Sequence, residues 1–428
     1  VTDPSSNPLE SELERAVRAA ALRARDATRS LRSAPTAQKN GALRALARRL
    51  REGIDPVLAA NAKDLAAARE GGLAAAMVDR LTLNPARIEA IAKAVEEIVA
   101  LPDPVGRVEG LVRRPSGITV GRMHVPIGVI AMIYESRPNV TVDAAALCLK
   151  SGNATVLRGG KEAAHSNAAL AEIVHAALCE AGLPADAVVI SPSYAREATR
   201  ALLGLVGVID VAIPRGGEGL VRFVAEHARV PVIAHFQGVC HLFVDEGAEL
   251  ERAVALTLDG KVRRPGVCNA LECLLVHDRA ADALLPRLMD ALAKEQVEVR
   301  ADALAHPKMP GSKLAADDDF GREFLAKILA VRVVSGLEEA IDHVSRYGSG
   351  HTESILTPSY DHGQRWLREV DASCVMINAS TRFNDGGELG LGAELGIATS
   401  KLHAYGPMGL EELTTRKWIV YGNGEVRG

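Results

Sequence analysis

Cys268 is the residue of this sequence best placed for covalent chemistry. It lies in a turn-prone loop, KVRRPGVCNA, just ahead of the apolar run LECLLV, and Arg263, Arg264, Pro265 and Gly266 precede it. A nucleophilic thiol needs partial exposure and a local positive field that favours the thiolate. The neighbouring arginines supply such a field if they face the sulfur. Cys273, inside the apolar run, reads instead as a buried filler. The six cysteines, at 148, 179, 240, 268, 273 and 374, form no C-x-x-C pair, so neither a zinc site nor a disulfide framework is indicated. Reduced thiols and a cytoplasmic location are the expectation.

Two glycine pairs sit where strand-like runs give way to helical ones. Arg158-Gly159-Gly160-Lys161 follows one run, and Pro214-Arg215-Gly216-Gly217 follows another. Carboxyl ends of parallel strands are where such sheets bind ligands, and helix N-termini there offer free N–H groups to phosphates. Neither pair matches G-x-G-x-x-G or the P-loop, and glycine at such turns serves backbone geometry equally well. The segment YESRPNVT (134–141) also links a strand to a helix. Its Asn139 is either an amide donor for a developing oxyanion or a helix cap, and spacing does not separate the two. His235 and His241 read as structural. No G-x-S-x-G elbow and no H-E-x-x-H occurs.

These residues need elements to hold them. Up to about residue 100 the pattern is helical, with Leu13, Val17, Ala20, Ala24, Ala27 and Leu31 on one face and Asn84-Pro85 opening a later stripe. Residues 108–125 change to short β-like runs around Pro115-Ser116-Gly117. Apolar runs at 127–133, 154–158, 187–190, 207–213 and 231–234 then alternate with amphipathic segments, which implies βαβ units and a parallel sheet. A second series, with strands at 241–244, 271–276, 331–334, 353–356 and 374–377, carries the Cys268 loop; the tail ends in KWIVYG.

The chain has 428 residues, enough for two or three structural units. A formal charge of -4 and 3% aromatic residues give no electrostatic or stacking reason to bind nucleic acid or an anionic membrane. The start, VTDPSSNPLE, lacks the features of a secretory signal, and no apolar run is long enough to span a bilayer.

Six segments in order, VPIGVIAMIYESRPNVT, SGNATVLRGGKEAAHSN, IPRGGEGLVRFV, RRPGVCNALE, GSGHTESILT and RFNDGGELGLGAELGIATSKLHAYGPMGL, closely resemble the γ-glutamyl phosphate reductase family, also called glutamate-5-semialdehyde dehydrogenases, of the aldehyde dehydrogenase superfamily. The resemblance implies an α/β fold. A variant Rossmann parallel-sheet domain (1–107 and 126–238, with part of 380–410) accompanies a second α/β catalytic domain (239–379) and a β-hairpin oligomerisation arm (108–125 and 411–428). It implies Cys268 as nucleophile, Asn139 as oxyanion donor aided by the Cys268 N–H, and NADPH as donor. Arg158, Gly159, Gly160 and Lys161 fall where the family contacts the adenosine ribose and its 2′-phosphate. Gly216 and Gly217 fall at the pyrophosphate, and Glu323 at the nicotinamide ribose. Arg137, Arg263 and Arg382 are candidates for phosphate or the α-carboxylate, or else surface ion pairs. Hydrolytic relatives carry a water-activating glutamate where this chain has His235, so reduction of an acyl phosphate is expected rather than oxidation to a free acid. A homo-oligomer and a partnership with glutamate 5-kinase are the expected associations. The alternatives are a related acyl-phosphate or aldehyde dehydrogenase, or a non-catalytic relative.

Overall fold

The computed structural model describes residues 11–234 and 236–427. The chain divides into two compact units, one of Val1–Ala234, Gly390–Gly396 and Met408–Gly428, the other of His235–Leu389 and Ile397–Pro407. The return segment 380–410 thus contributes Gly390–Gly396 and its end from Met408 to the first unit, and the rest to the second.

The first unit opens with the helices Glu12–Ser33, Thr36–Glu52, Ile54–Glu70, Ala75–Leu81 and Pro85–Ala100. Ser11 starts the series with a capping box. Its hydroxyl accepts from the Glu14 N–H at 3.2 Å, while the Glu14 carboxylate accepts from the Ser11 N–H at 2.7 Å. Val17, Ala20, Ala24, Ala27 and Leu31 are buried along one stripe, as their spacing requires.

Four parallel strands follow, in the spatial order Val188–Ile190, Ala154–Arg158, Val129–Tyr134, Val211–Arg215. The chain steps outward from Val129–Tyr134 and then returns to its other side. The carboxyl ends of Val129–Tyr134 and Val211–Arg215 therefore flank a reversal of strand order, the place where open sheets leave a crevice for ligand. The expected strand at 207–213 begins only at Val211, because Gly207 turns with φ +82°. The expected strand at 231–234 is reduced to a single bridge between Val232 and Ala212.

Residues 108–126 and the tail build a separate three-stranded antiparallel sheet of Val108–Arg113, Thr119–Pro126 and Thr414–Tyr421. Register runs from Thr414 opposite Pro126 to Tyr421 opposite Thr119. Leu111, Val112, Trp418, Val420 and Tyr421 are exposed on it.

The second unit is a seven-stranded parallel sheet, ordered Lys313–Leu314, Glu298–Ala301, Ile328–Val334, Leu271–His277, Cys240–Val244, Thr352–Leu356, Cys374–Ile377. The first two were not expected, since they are short strands at one side of the sheet without an apolar run. Central strands are buried on both faces, so successive residues join opposite cores. Leu242, Leu274 and Val276 pack with Leu284 and Leu288, whereas Phe243, Cys273 and Leu275 pack with Phe320 and Trp366. Among the described residues no helix is long and apolar enough to cross a membrane.

Candidate active site

The amino-terminal edge of the seven-stranded sheet gathers the chemistry of the second unit. The helix Leu250–Val262 ends, the chain turns through 263–270, and Leu271–His277 begins. Cys268 sits half-buried in that turn. Its carbonyl accepts a hydrogen bond from the Cys240 thiol at 3.2 Å. Gly238 lies so close that a Cβ there would stand 2.0 Å from the Cys268 carbonyl oxygen. The next residue anchors the turn from the other side. Asn269 donates to the carbonyls of Arg382 (3.3 Å) and Asn384 (2.9 Å), and its own carbonyl accepts from the Thr381 hydroxyl at 2.9 Å. Arg382 is thereby held on the short turn Thr381–Phe383, beside the thiol loop.

Arg263 behaves differently. Its guanidinium pairs with Asp259 at 3.0 Å and its side chain is 79% exposed, so its charge is answered by a carboxylate one helical turn back. The field inferred from sequence is not Arg263's to supply. Lys261 and Glu272 instead flank the loop as a wholly buried ion pair, 2.5 Å apart. Burial raises the Glu272 pKa to about 7 against the pull of Lys261, and burial lowers that of Lys261. Glu323, on the extended stretch before Leu325, lies close enough to act electrostatically on both.

In the first unit, Arg158 ends its strand almost fully buried, with Nη2 donating to the Tyr194 carbonyl at 2.6 Å. A Cβ on Gly159 would collide with the Asn167 amide at 2.2 Å, and one on Gly160 with the Glu162 carboxylate at 2.0 Å. Lys161 is exposed in the short turn that follows. Gly216 is similarly confined, by Glu135 and Leu220, whereas the space beside Gly217 is open. Gly217 caps the helix Glu218–His227, and its N–H already donates to the Glu135 carboxylate at 3.2 Å. An anion on that amide is what a helix N-terminus favours.

Asn139 is the first residue of the helix Asn139–Lys150, behind Pro138, so the alternative reading of it as the helix cap fails. Its amide N–H₂ donates to the Asp143 carboxylate at 2.8 Å. Burial raises the Asp143 pKa to about 6, opposed by that hydrogen bond and by the Arg215 charge. The bond fixes which end of the amide is nitrogen and leaves one N–H for another acceptor. Ahead of the helix, Ser136 is left-handed at φ +43°, with its N–H and hydroxyl both donating to Glu162 (2.6 and 2.8 Å). Arg137 follows it, half-buried.

Comparison with known proteins places these features in a lineage. The aldehyde dehydrogenase family profile matches residues 9–307. The γ-glutamyl phosphate reductase of Sorangium cellulosum is 65% identical over 421 residues, covering 97% of this chain and 99% of that one. The chain belongs to the aldehyde dehydrogenase family. A second relative of the same name, from an Anaeromyxobacter species, is 54% identical over 429 residues, 99% of either chain. The crystal structure of γ-glutamyl phosphate reductase from Thermotoga maritima superposes with a TM-score of 0.94 at 44% identity, covering 96% of this chain and 100% of that one.

Aldehyde dehydrogenases use a nicotinamide dinucleotide, and the first unit fits one. The side-chain-free turns at Gly159–Gly160 and Gly216–Gly217 follow the two strands that flank Val129–Tyr134, on either side of the reversal of strand order. Arg158 Nε and Asn167 Nδ2 are buried there without a hydrogen-bond partner. His235, the expected counterpart of the water-activating carboxylate of hydrolytic relatives, lies outside the described residues.

Sequence reading missed Lys261, Glu272, Gly238, Glu135 and Glu162; the only signal was a lysine and a glutamate bracketing the cysteine loop. It read His241 as structural and Cys273 as a filler without naming His343, and the ligating atoms of all three lie within 4.8 Å of one another. His241 and Cys273 are register partners on adjacent strands, and Glu353 accepts from the His241 ring at 2.8 Å. This donor set is a poor cation site. An Arg332 N–H lies 3.4 Å from His343 Nδ1, which places the imidazole proton on Nε2, facing Cys273. Burial, with the His241 and Arg332 charges, holds the His343 pKa near 2.

Proposed function

We propose that the chain reduces γ-glutamyl phosphate to glutamate 5-semialdehyde and phosphate with NADPH, the second step of proline biosynthesis. The observation that carries this reading is Cys268, a half-buried thiol on a braced turn, in a chain matched end to end by γ-glutamyl phosphate reductases.

In this reading the Cys268 thiolate attacks the acyl carbon, a C–S bond forms, and the carbonyl pair moves onto oxygen. The second N–H of Asn139 and the backbone N–H of Cys268 donate to that oxyanion. As the carbonyl re-forms, the C–O bond breaks and phosphate leaves with the electron pair. The nicotinamide, when bound, supplies a hydride to the thioester carbon. The resulting thiohemiacetal oxyanion collapses, expelling the Cys268 thiolate and releasing the semialdehyde. Arg382, on the turn tied to Asn269, is better supported as a holder of phosphate or α-carboxylate than Arg263, which Asp259 engages. Arg137, between Ser136 and the Asn139 helix, is the third candidate.

Arg158 and Lys161 are assigned to the 2′-phosphate, with Gly159 and Gly160 giving the ribose room. Gly216 and Gly217 are assigned to the pyrophosphate and Glu323 to the nicotinamide ribose. The three-stranded sheet, with Trp418 and Val420 exposed on it, is assigned to homo-oligomer contact. Delivery from glutamate 5-kinase suits a labile acyl phosphate.

The deciding experiment is NADP⁺ reduction with glutamate 5-semialdehyde. Activity should require phosphate and vanish in Cys268→Ala, and Lys161→Ala should raise KM for NADP⁺ more than for NAD⁺. Turnover without phosphate, or activity surviving the cysteine substitution, overturns the reading.

A further inference from the structure

The buried Lys261–Glu272 pair is not explained by stability alone. Replacing such a pair by apolar groups of similar size is often neutral or stabilising, because two desolvated charges cost about what they return. Its location is specific. Lys261 lies in the last turn of the helix that enters the Cys268 loop, and Glu272 is the second residue of the strand that leaves it. The two carboxylate oxygens of Glu272 are used differently. Oε2 takes the Lys261 ammonium at 2.5 Å, while Oε1 accepts from the backbone N–H of Leu325 at 3.3 Å.

Leu325 is itself unusual. It holds φ at +52°, a left-handed conformation that a leucine adopts at a cost, and the residue is 47% exposed. No burial of the side chain accounts for the strain. The N–H bond to Glu272 ties this kink to the strand behind the thiol. Two residues before the kink stands Glu323, whose charge is felt by both members of the pair.

We propose that Glu272 is a positioning residue: through Leu325 it fixes the segment bearing Glu323 against the base of the Cys268 loop. The brace sets where the ribose-binding carboxylate stands relative to the thiol, with Lys261 balancing the charge. The inference rests on the reading above in which Glu323 meets the nicotinamide ribose.

The test compares two double variants. Lys261→Met with Glu272→Leu removes both the charge pair and the acceptor for Leu325. Lys261→Met with Glu272→Gln removes the charges but keeps a carbonyl oxygen for that N–H. NADPH affinity is read by fluorescence titration, loop integrity by the rate of Cys268 alkylation with iodoacetamide, and folding by thermal melts. The leucine variant should bind NADPH about tenfold more weakly, the size of one lost hydrogen bond to an ordered segment. Its alkylation rate should match the parent, and the glutamine variant should recover most of the affinity. Unchanged affinity in the leucine variant, or a glutamine variant no better than it, overturns the brace. Glu323→Gln in the same titration separates the two levels. If it leaves NADPH affinity unchanged, the role given to Glu323 fails and this inference with it. If it weakens binding while the leucine variant does not, only the brace fails. Should the leucine variant not fold, amide hydrogen exchange in the parent decides. The Leu325 N–H should be protected despite its exposed side chain, and exchange at open-loop rates overturns the brace.

Discussion

Gly238→Ala is the smallest change that should disable the thiol without touching it. A Cβ at this position would lie 2.0 Å from the Cys268 carbonyl oxygen, 2.8 Å from its carbon and 2.9 Å from its Cα. All three are backbone atoms, so no flexible side chain can swing away. Contacts of a real Cβ below 3.0 Å are essentially never seen, so the two segments must separate by at least about 1 Å. Neither side gives easily. The Val239 N–H is held by the Ser349 hydroxyl at 2.9 Å, and Asn269 is held by Thr381, Arg382 and Asn384. The strain should cost about 1–3 kcal/mol of stability. A displacement of about 1 Å in a reacting group lowers turnover roughly 10²-fold, equivalent to about 2.7 kcal/mol in the barrier. Phosphate-dependent NADP⁺ reduction, measured well below the melting temperature and normalised to folded protein, should therefore show a kcat down by about that factor. A Gly238→Ala enzyme that stays folded and keeps kcat within about threefold of the parent would refute the contact argument.

Gly41→Ala is the matching control: Gly41 lies within the helix Thr36–Glu52 with nothing within 4 Å of the added Cβ, so stability should rise by about 0.5–1 kcal/mol in thermal melts, with kcat unchanged. Asn139→Ala should lower kcat about 10²–10³-fold while Cys268 alkylation proceeds at the parent rate, and a loss below about tenfold would remove Asn139 from the oxyanion role. Because burial lifts Glu272 from 4.5 to about 7, the folded protein keeps a proton across that window that the unfolded chain has released. Stability should then fall as pH rises through the window, by up to roughly 3 kcal/mol. Urea unfolding followed by the buried Trp366 should show that slope in the parent and lose it in Glu272→Gln; an equal slope in both would contradict the assignment.

What was legible in the sequence followed from short-range pattern. Val129–Tyr134 and Leu271–His277 announce themselves as strands because every residue is buried, and Asn84-Pro85 announces a helix start because cap and first-turn preferences are local. Cys268 was visible as a thiol in a turn for the same reason. Direction was not legible. Arg263 stands near the cysteine in sequence, yet the helix it leaves turns it back toward Asp259, and only the path of the chain shows that. Lys161 and Glu162 are neighbours with opposite fates. The lysine is exposed, whereas the glutamate folds under Gly160 to hold Ser136 in a left-handed turn.

The least legible part is what makes the thiol loop a defined object. Gly238 and Ser349 reach the loop or its brace from the amino-terminal ends of two adjacent strands, and Thr381 and Asn384 from the segment after the strand Cys374–Ile377, because the connections of a parallel sheet run long. A glycine in the AHFQGVCH segment reads as a turn residue in one dimension. In three its absent side chain lets the Cys268 backbone approach. The carboxylate at 272 sits as one charge in the apolar run LECLLV, where the strand pattern gives no sign of its role. Its burial with Lys261 on one oxygen and a strained backbone N–H on the other makes it part of the site's frame. Sequence thus pointed to the thiol proposed to react, and the contacts that hold its loop in place are set by topology.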